Sequence, residues 1–196
     1  MSYSEVEEND IDRVIEWFKR RGIEARIHPR HPSEPSPDLQ LWSGGSLVGY
    51  CEVKSLGLGP WDWENAIQRE DDLLEFPGNY CGTVDKAKAR LANVVVGAVK
   101  QVSYAASGTD LVSVVAVVGH GPDTDWLDVQ AVMRGEENRP GLPPYRDADN
   151  PNKQIAAARQ LIDALIWFGD DQTERLMLNE ANRERHARCD TLFVKP

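Results

Sequence analysis

Ser36 to Ser55 reads SPDLQLWSGGSLVGYCEVKS. Leu39, Leu41 and then Val48, Tyr50 alternate with polar or small residues on either side of Ser43-Gly44-Gly45-Ser46, so the stretch predicts two strands, Asp38 to Trp42 and Leu47 to Lys54, joined by a hairpin turn. Side chains alternate along a strand, which places Val48, Tyr50, Glu52 and Lys54 on one face of the second strand and Gly49, Cys51 and Val53 on the other. If the two strands pair, Asp38 at the start of the first meets Glu52 and Lys54 near the end of the second. Two carboxylates held that close repel unless a cation lies between them.

Working outward, Val6, Ile11, Val14, Ile15 and Phe18 recur at helical spacing from Ser4 to Arg21, and Gly22 stands at the C-terminal glycine position. Ile23, Ala25 and Ile27 then alternate as a strand. HPRHPSEPSP, residues 28–37, is too rich in proline for either element. Residues 55–82 read as a long irregular insert, followed by a helix from Thr83 to about Ala106 and by Leu111 to Val118, whose nearly continuous apolar run marks a strand covered on both faces. Helices are expected at Asp125 to Arg134, Lys153 to Phe168 and Thr173 to Ala187, with a connector at Arg139 to Pro151 and a last short strand at Thr191 to Val194. The expectation is one α/β domain over residues 1–196, with a central mixed β-sheet flanked by helices, a core at about residues 4–118 and a C-terminal helical elaboration at about residues 123–196.

The chain carries 32 Asp plus Glu against 22 Lys plus Arg, a formal charge of −10. That excludes a histone-like protein that coats duplexes nonspecifically, because such binding rests on Lys and Arg displacing counterions. It does not exclude an enzyme meeting nucleic acid at one face, since salt screens charges beyond roughly 10 Å. The segments flanking the hairpin are locally basic. Arg13 to His31 holds six Arg or Lys, Arg26 and Arg30 among them, against two Glu, and Val84 to Gln101 holds four against one Asp. The first ten residues carry no secretory signal pattern, and Leu111 to Val118 is far shorter than the roughly 20 residues that span a bilayer. Three widely spaced cysteines encode neither a disulfide framework nor a zinc ribbon, so the expected compartment is the reducing cytoplasm, with no membrane partner.

Pro37-Asp38, thirteen residues, then Glu52-Val53-Lys54 resembles the motif of the PD-(D/E)XK nuclease superfamily, and the order helix, three strands, helix, strand over residues 4–118 resembles its restriction endonuclease-like core. The resemblance implies a DNA-cleaving, metal-dependent phosphodiesterase, an endonuclease, with Mg²⁺ or Mn²⁺ held by Asp38, Glu52 and the Val53 carbonyl, and with Lys54 as catalytic lysine. A hard cation taking one or two carboxylates, a carbonyl, waters and phosphate oxygens suits that donor set. Members often add an acidic residue from the first helix. Glu8 and Asp12 are the candidates, Glu8 the preferred one. Lys86, Asn93 and Lys100, spaced by seven, form a polar line on the later helix. Gln101 and Tyr104 are one residue short of the Gln-x-x-x-Tyr spacing of RecB-like exonucleases. A partner protein or a second copy of the chain would be compatible with the acidic surface.

The competing readings are plain ones. An Asp followed by Glu-x-Lys also occurs on solvated strand faces, and a fold of this kind without chemistry would serve as a binding or assembly module. Acidic residues favour a helix N-terminus whatever their function. His28 and His31 lack two further zinc ligands. Trp61 and Trp63 suit a plug beneath the long insert as well as a base-stacking surface.

Overall fold

The structure is a computed structural model that describes residues 3–29, 34–57, 81–120, 124–137, 145–146, 154–169, 172–179 and 183–194. Its elements are α1 (Tyr3–Lys19), β1 (Glu24–Ile27), β2 (Leu39–Ser43), β3 (Ser46–Leu56), α2 (Cys81–Ala105), β4 (Val112–Gly119), α3 (Trp126–Arg134), β5 (Glu136–Glu137), β6 (Tyr145–Arg146), α4 (Ile155–Arg159), β7 (Ala164–Phe168), β8 (Glu174–Leu178) and α5 (Arg183–Phe193). Six strands form one mixed sheet in the order β1-β2-β3-β4-β7-β8, and β5 pairs with β6 separately. The β1–β2 and β2–β3 pairs are antiparallel, β3, β4 and β7 run parallel, and β8 returns antiparallel on β7. The chain is therefore an α/β protein with a mixed sheet between helices.

Local chemistry accounts for the first half. α1 closes in a Schellman arrangement, with the Ile23 N–H on the Phe18 carbonyl at 3.1 Å and the Gly22 N–H on the Lys19 carbonyl at 3.0 Å. The β2–β3 hairpin turns on Gly44 and Gly45, with φ of +57° and +79°. Two successive positive φ values are what a two-residue turn between right-twisted strands demands. β4 is buried at every residue, as its valine run predicts.

The sheet separates two apolar layers. On one face Val14, Trp17 and Phe18 of α1 and Phe193 of α5 pack over Cys51, Val53, Val114, Ala116, Ile166 and Phe168. Phe193 meets Trp17 and Phe18 with ring centroids 6.1 and 5.9 Å apart. On the other face Leu91, Val95 and Val99 of α2 join Val129 and Val132 of α3 over Val115, Val117, Leu165 and Trp167. Cys51, fully buried, is the small hydrophobe its strand position implies.

The C-terminal third departs from expectation. Lys153 to Phe168 is not one helix: α4 covers only Ile155–Arg159, and Ala164–Phe168 is strand β7, buried at all five residues. Thr173 to Ala187 is likewise divided into strand β8 and the start of α5, while Thr191 to Phe193, expected in a strand, closes that helix. The physical reason is position. Ala164-Leu165-Ile166-Trp167-Phe168 fills the slot beside β4, where both faces are covered and every residue must be apolar. Among the described residues after 123, β7 and β8 thus extend the central sheet, while α3, α4 and α5 supply the helical part of the expected elaboration.

Candidate active site

β2 pairs with β3 only as far as Leu39 opposite Cys51, so Glu52 to Leu56 run on with β4 beside them and no β2 partner on the other side. Asp38 completes the rung that β2 leaves open. Its N–H donates to Glu52 Oε2 at 3.1 Å, and its own Oδ2 accepts the Val53 N–H at 2.9 Å. A strand residue directs its N–H and C=O to the same edge, so the Val53 carbonyl lies on the Asp38 side. Gln101 of α2 donates to the Ser36 carbonyl at 3.0 Å and anchors the segment that delivers Asp38.

Glu52 is fully buried. Its Oε1 receives no well-oriented hydrogen bond among the described residues and instead meets the Lys54 ammonium at 2.5 Å. Burial, and then the charge of Asp38, push its carboxyl up to about 7, with Lys54 opposing them. A carboxylate so disfavoured by its surroundings gains from any further cation. The donor set is two carboxylates and a carbonyl, all hard oxygen, with one carboxylate oxygen poorly satisfied, and it fits Mg²⁺ or Mn²⁺ completed by water and phosphate oxygens. No group of three or more His, Cys, Asp and Glu that could cage a metal occurs among the described residues, so an all-protein site of the zinc type finds no support there. Lys54, with its side chain 32% exposed, and the half-buried Asp38 reach solvent, whereas Glu52 does not.

The first-helix carboxylate differs from expectation. Glu8 and Asp12 are exposed, and the residue turned inward is Asp10, 3% exposed. Helical spacing explains the correction: at about 100° per residue Asp10 lies roughly 40° from Val14, within the buried stripe, whereas Glu8 and Asp12 lie roughly 120° and 160° away. Asp10 does not join Glu52. It holds Ser55 and His120, which stand on the α1 face of the sheet, while Glu52 shares the α2 face with Val115 and Val117.

Those of the remaining candidates that are described are not gathered at this site. Asn93 and Lys100 are exposed on α2, on the side away from the sheet. Lys86 falls in the first turns of α2 and its side chain lies outside the described residues, as do Arg30, His31, Trp61 and Trp63. Arg26, exposed on β1, engages Glu24 at 2.8 and 2.9 Å and lies 4.6 Å over the Trp42 ring. His28 contacts Gln40 at 3.1 Å and neighbours Tyr50. Lys88, not anticipated, is buried opposite Asp128 at 3.9 Å and links α2 to α3. No helix is long and apolar enough to cross a membrane among the described residues. Comparisons with protein-family models, curated proteins and solved structures return no match.

Proposed function

We propose that this chain is a metal-dependent nuclease of the PD-(D/E)XK type, with a restriction endonuclease-like core, cleaving phosphodiester bonds in DNA as an endonuclease. The observation that carries the reading is the convergence of Asp38, Glu52 and Lys54 on the stretch of β3 that β2 leaves unpaired. A helix, an antiparallel three-stranded meander, a second helix and a parallel strand precede and follow it in the order the resemblance implies.

In this reading Asp38, Glu52 and the Val53 carbonyl hold the cation, which when bound supplies positive charge for the phosphate and a water of lowered pKa. A cation held by Glu52 would compete with Lys54, which contacts that carboxylate at 2.5 Å. The Lys54 ammonium would orient the attacking water and offset the negative charge that develops on the phosphoryl oxygens. Burial of Glu52 keeps the ligand dry and its position fixed, because the backbone N–H of Asp38 holds the second oxygen.

Plasmid nicking with Mg²⁺ or Mn²⁺ tests the proposal. Wild type should convert supercoiled to open-circular DNA, and Asp38→Ala, Glu52→Ala and Lys54→Ala should each abolish conversion while remaining folded. Nicking that survives all three substitutions would sink the assignment. A wild type that binds DNA without cutting it under any divalent cation would favour the non-catalytic module.

A further inference from the structure

Across the sheet from Glu52 lies a second polar cluster. Asp10 of α1 accepts through one oxygen, Oδ2, from both the Ser55 hydroxyl and His120 Nε2, the latter at 2.8 Å. Asp10 is 3% exposed and the His120 side chain 23% exposed. A carboxylate oxygen only accepts, so the imidazole proton must be on Nε2, and the tautomer is set by the contact. The backbone beneath the ring is held as tightly. The His120 N–H donates to the Leu56 carbonyl at 2.8 Å, and Gly57, at φ +95°, passes so close that a Cβ there would stand 2.2 Å from the His120 carbonyl oxygen. The cluster is not a nucleophile relay, since the serine hydroxyl and the imidazole meet the same carboxylate oxygen rather than each other.

Its place in the fold gives it a use. Ser55 follows Lys54 directly, on the segment of β3 that has β4 on one side and no β2 partner on the other. Such a segment lacks half of the hydrogen bonds that fix a central strand. Asp38 restrains it at Val53, and two residues later Asp10 restrains it at Ser55. Lys54 stands between these two restraints.

We propose that His120 is a positioning residue for the site: by binding Asp10 it fixes the carboxylate that clamps Ser55 to α1, and the clamp holds Lys54 in register with Glu52. The inference rests on the reading of Lys54 as the catalytic cation. Hydrogen-bond partners that orient a metal ligand are worth roughly 10- to 100-fold in affinity or activity, and a loss toward the lower end of that range is expected where the restrained side chain is Lys54.

The test uses the full chain and the variants Asp10→Asn, Ser55→Ala, His120→Ala and His120→Gln, with two readouts. In metal-dependent nicking, Asp10→Asn, Ser55→Ala and His120→Ala should each lower kcat by roughly tenfold or more with KM little changed. His120→Gln, which keeps an N–H donor, should recover most of the loss, and Asp10→Asn combined with His120→Ala should cost little more than either alone. In NMR, the wild-type ring should be in the Nε2–H form, and the Lys54 side-chain resonances should move in Asp10→Asn and His120→Ala. Folded variants with unchanged kcat, a Gln variant no better than Ala, or unmoved Lys54 resonances overturn the proposal. If wild type cleaves nothing, the nuclease reading falls, whereas Lys54 resonances that move still show that the clamp positions this side chain.

Discussion

Glu52 is the residue on which the proposed chemistry and the stability of this protein meet. Its carboxyl is raised from an ordinary value near 4.5 to about 7, so the folded state holds a proton that the unfolded chain has released across that interval. A raised carboxyl therefore lowers stability as pH rises: the folded state incurs no penalty below about 4.5, and the full cost is present above 7. The cost is about 3 kcal/mol. Urea unfolding of wild type and Glu52→Gln at pH 5 and pH 7.5 should show wild type losing about 2 kcal/mol of stability relative to the variant between the two, most of the full cost. Added Mn²⁺ should return the loss at pH 7.5 in wild type and not in Glu52→Gln. Lys54→Met should still take up Mn²⁺ in calorimetry while losing about a hundredfold or more in cleavage rate. Asp38, Glu52, Val53 and Lys54 were legible because alternation along a strand and the Gly-Gly turn determine which side chains meet. Asp10 was legible too, from its angular position beside Val14, whereas the resemblance to a family with a first-helix acidic residue favoured Glu8 and Asp12. His120 carried no local signal, since its partner Asp10 is 110 residues away in sequence.

At the scale of elements, the end of β3 is held by side chains and by a close backbone crossing. Gly57→Ala should be destabilising by about 1–3 kcal/mol, because φ is +95° and the new Cβ meets the His120 carbonyl. Thermal unfolding measures that loss. If β7 is a central strand, Phe168→Ala, which removes a fully buried ring over α1, should cost about 3–5 kcal/mol. A loss below 1 kcal/mol would place that ring outside the core. The helical pattern of α2 and the valine run of β4 were readable from sequence because each keeps one period over many residues. β7 was not, since Ile155, Ala158 and Ile162 before it continue at helical spacing, and the five apolar residues that follow are too few to show a period. The discriminating marks were Asp163 and Gly169 at its two ends: the buried Asp163 carboxylate accepts the Ser113 N–H at 2.8 Å and aligns β7 with the start of β4.

For the whole molecule, the formal charge of −10 sets how nucleic acid would be met if the proposed nuclease reading holds. Lys54 is the cation that the described structure brings to the carboxylate pair, whereas Arg26 is engaged with Glu24 and Lys88 is buried against Asp128. Binding to a short duplex should therefore be weak, with log K falling against log salt at a slope of about −3 or shallower, and a slope near −8 would indicate the extended phosphate contact that the composition excludes. Fluorescence anisotropy in Ca²⁺, which occupies hard-oxygen sites, measures it. All of this depends on one claim, that Asp38 and Glu52 together hold a divalent cation at the open end of β3. Anomalous diffraction from crystals soaked in Mn²⁺ tests it most directly. One peak is expected about 2.1 Å from carboxylate oxygens of both Asp38 and Glu52, beside the Val53 carbonyl and with Lys54 drawn off Glu52; no peak there, or one that leaves the Glu52–Lys54 contact intact, would contradict that claim.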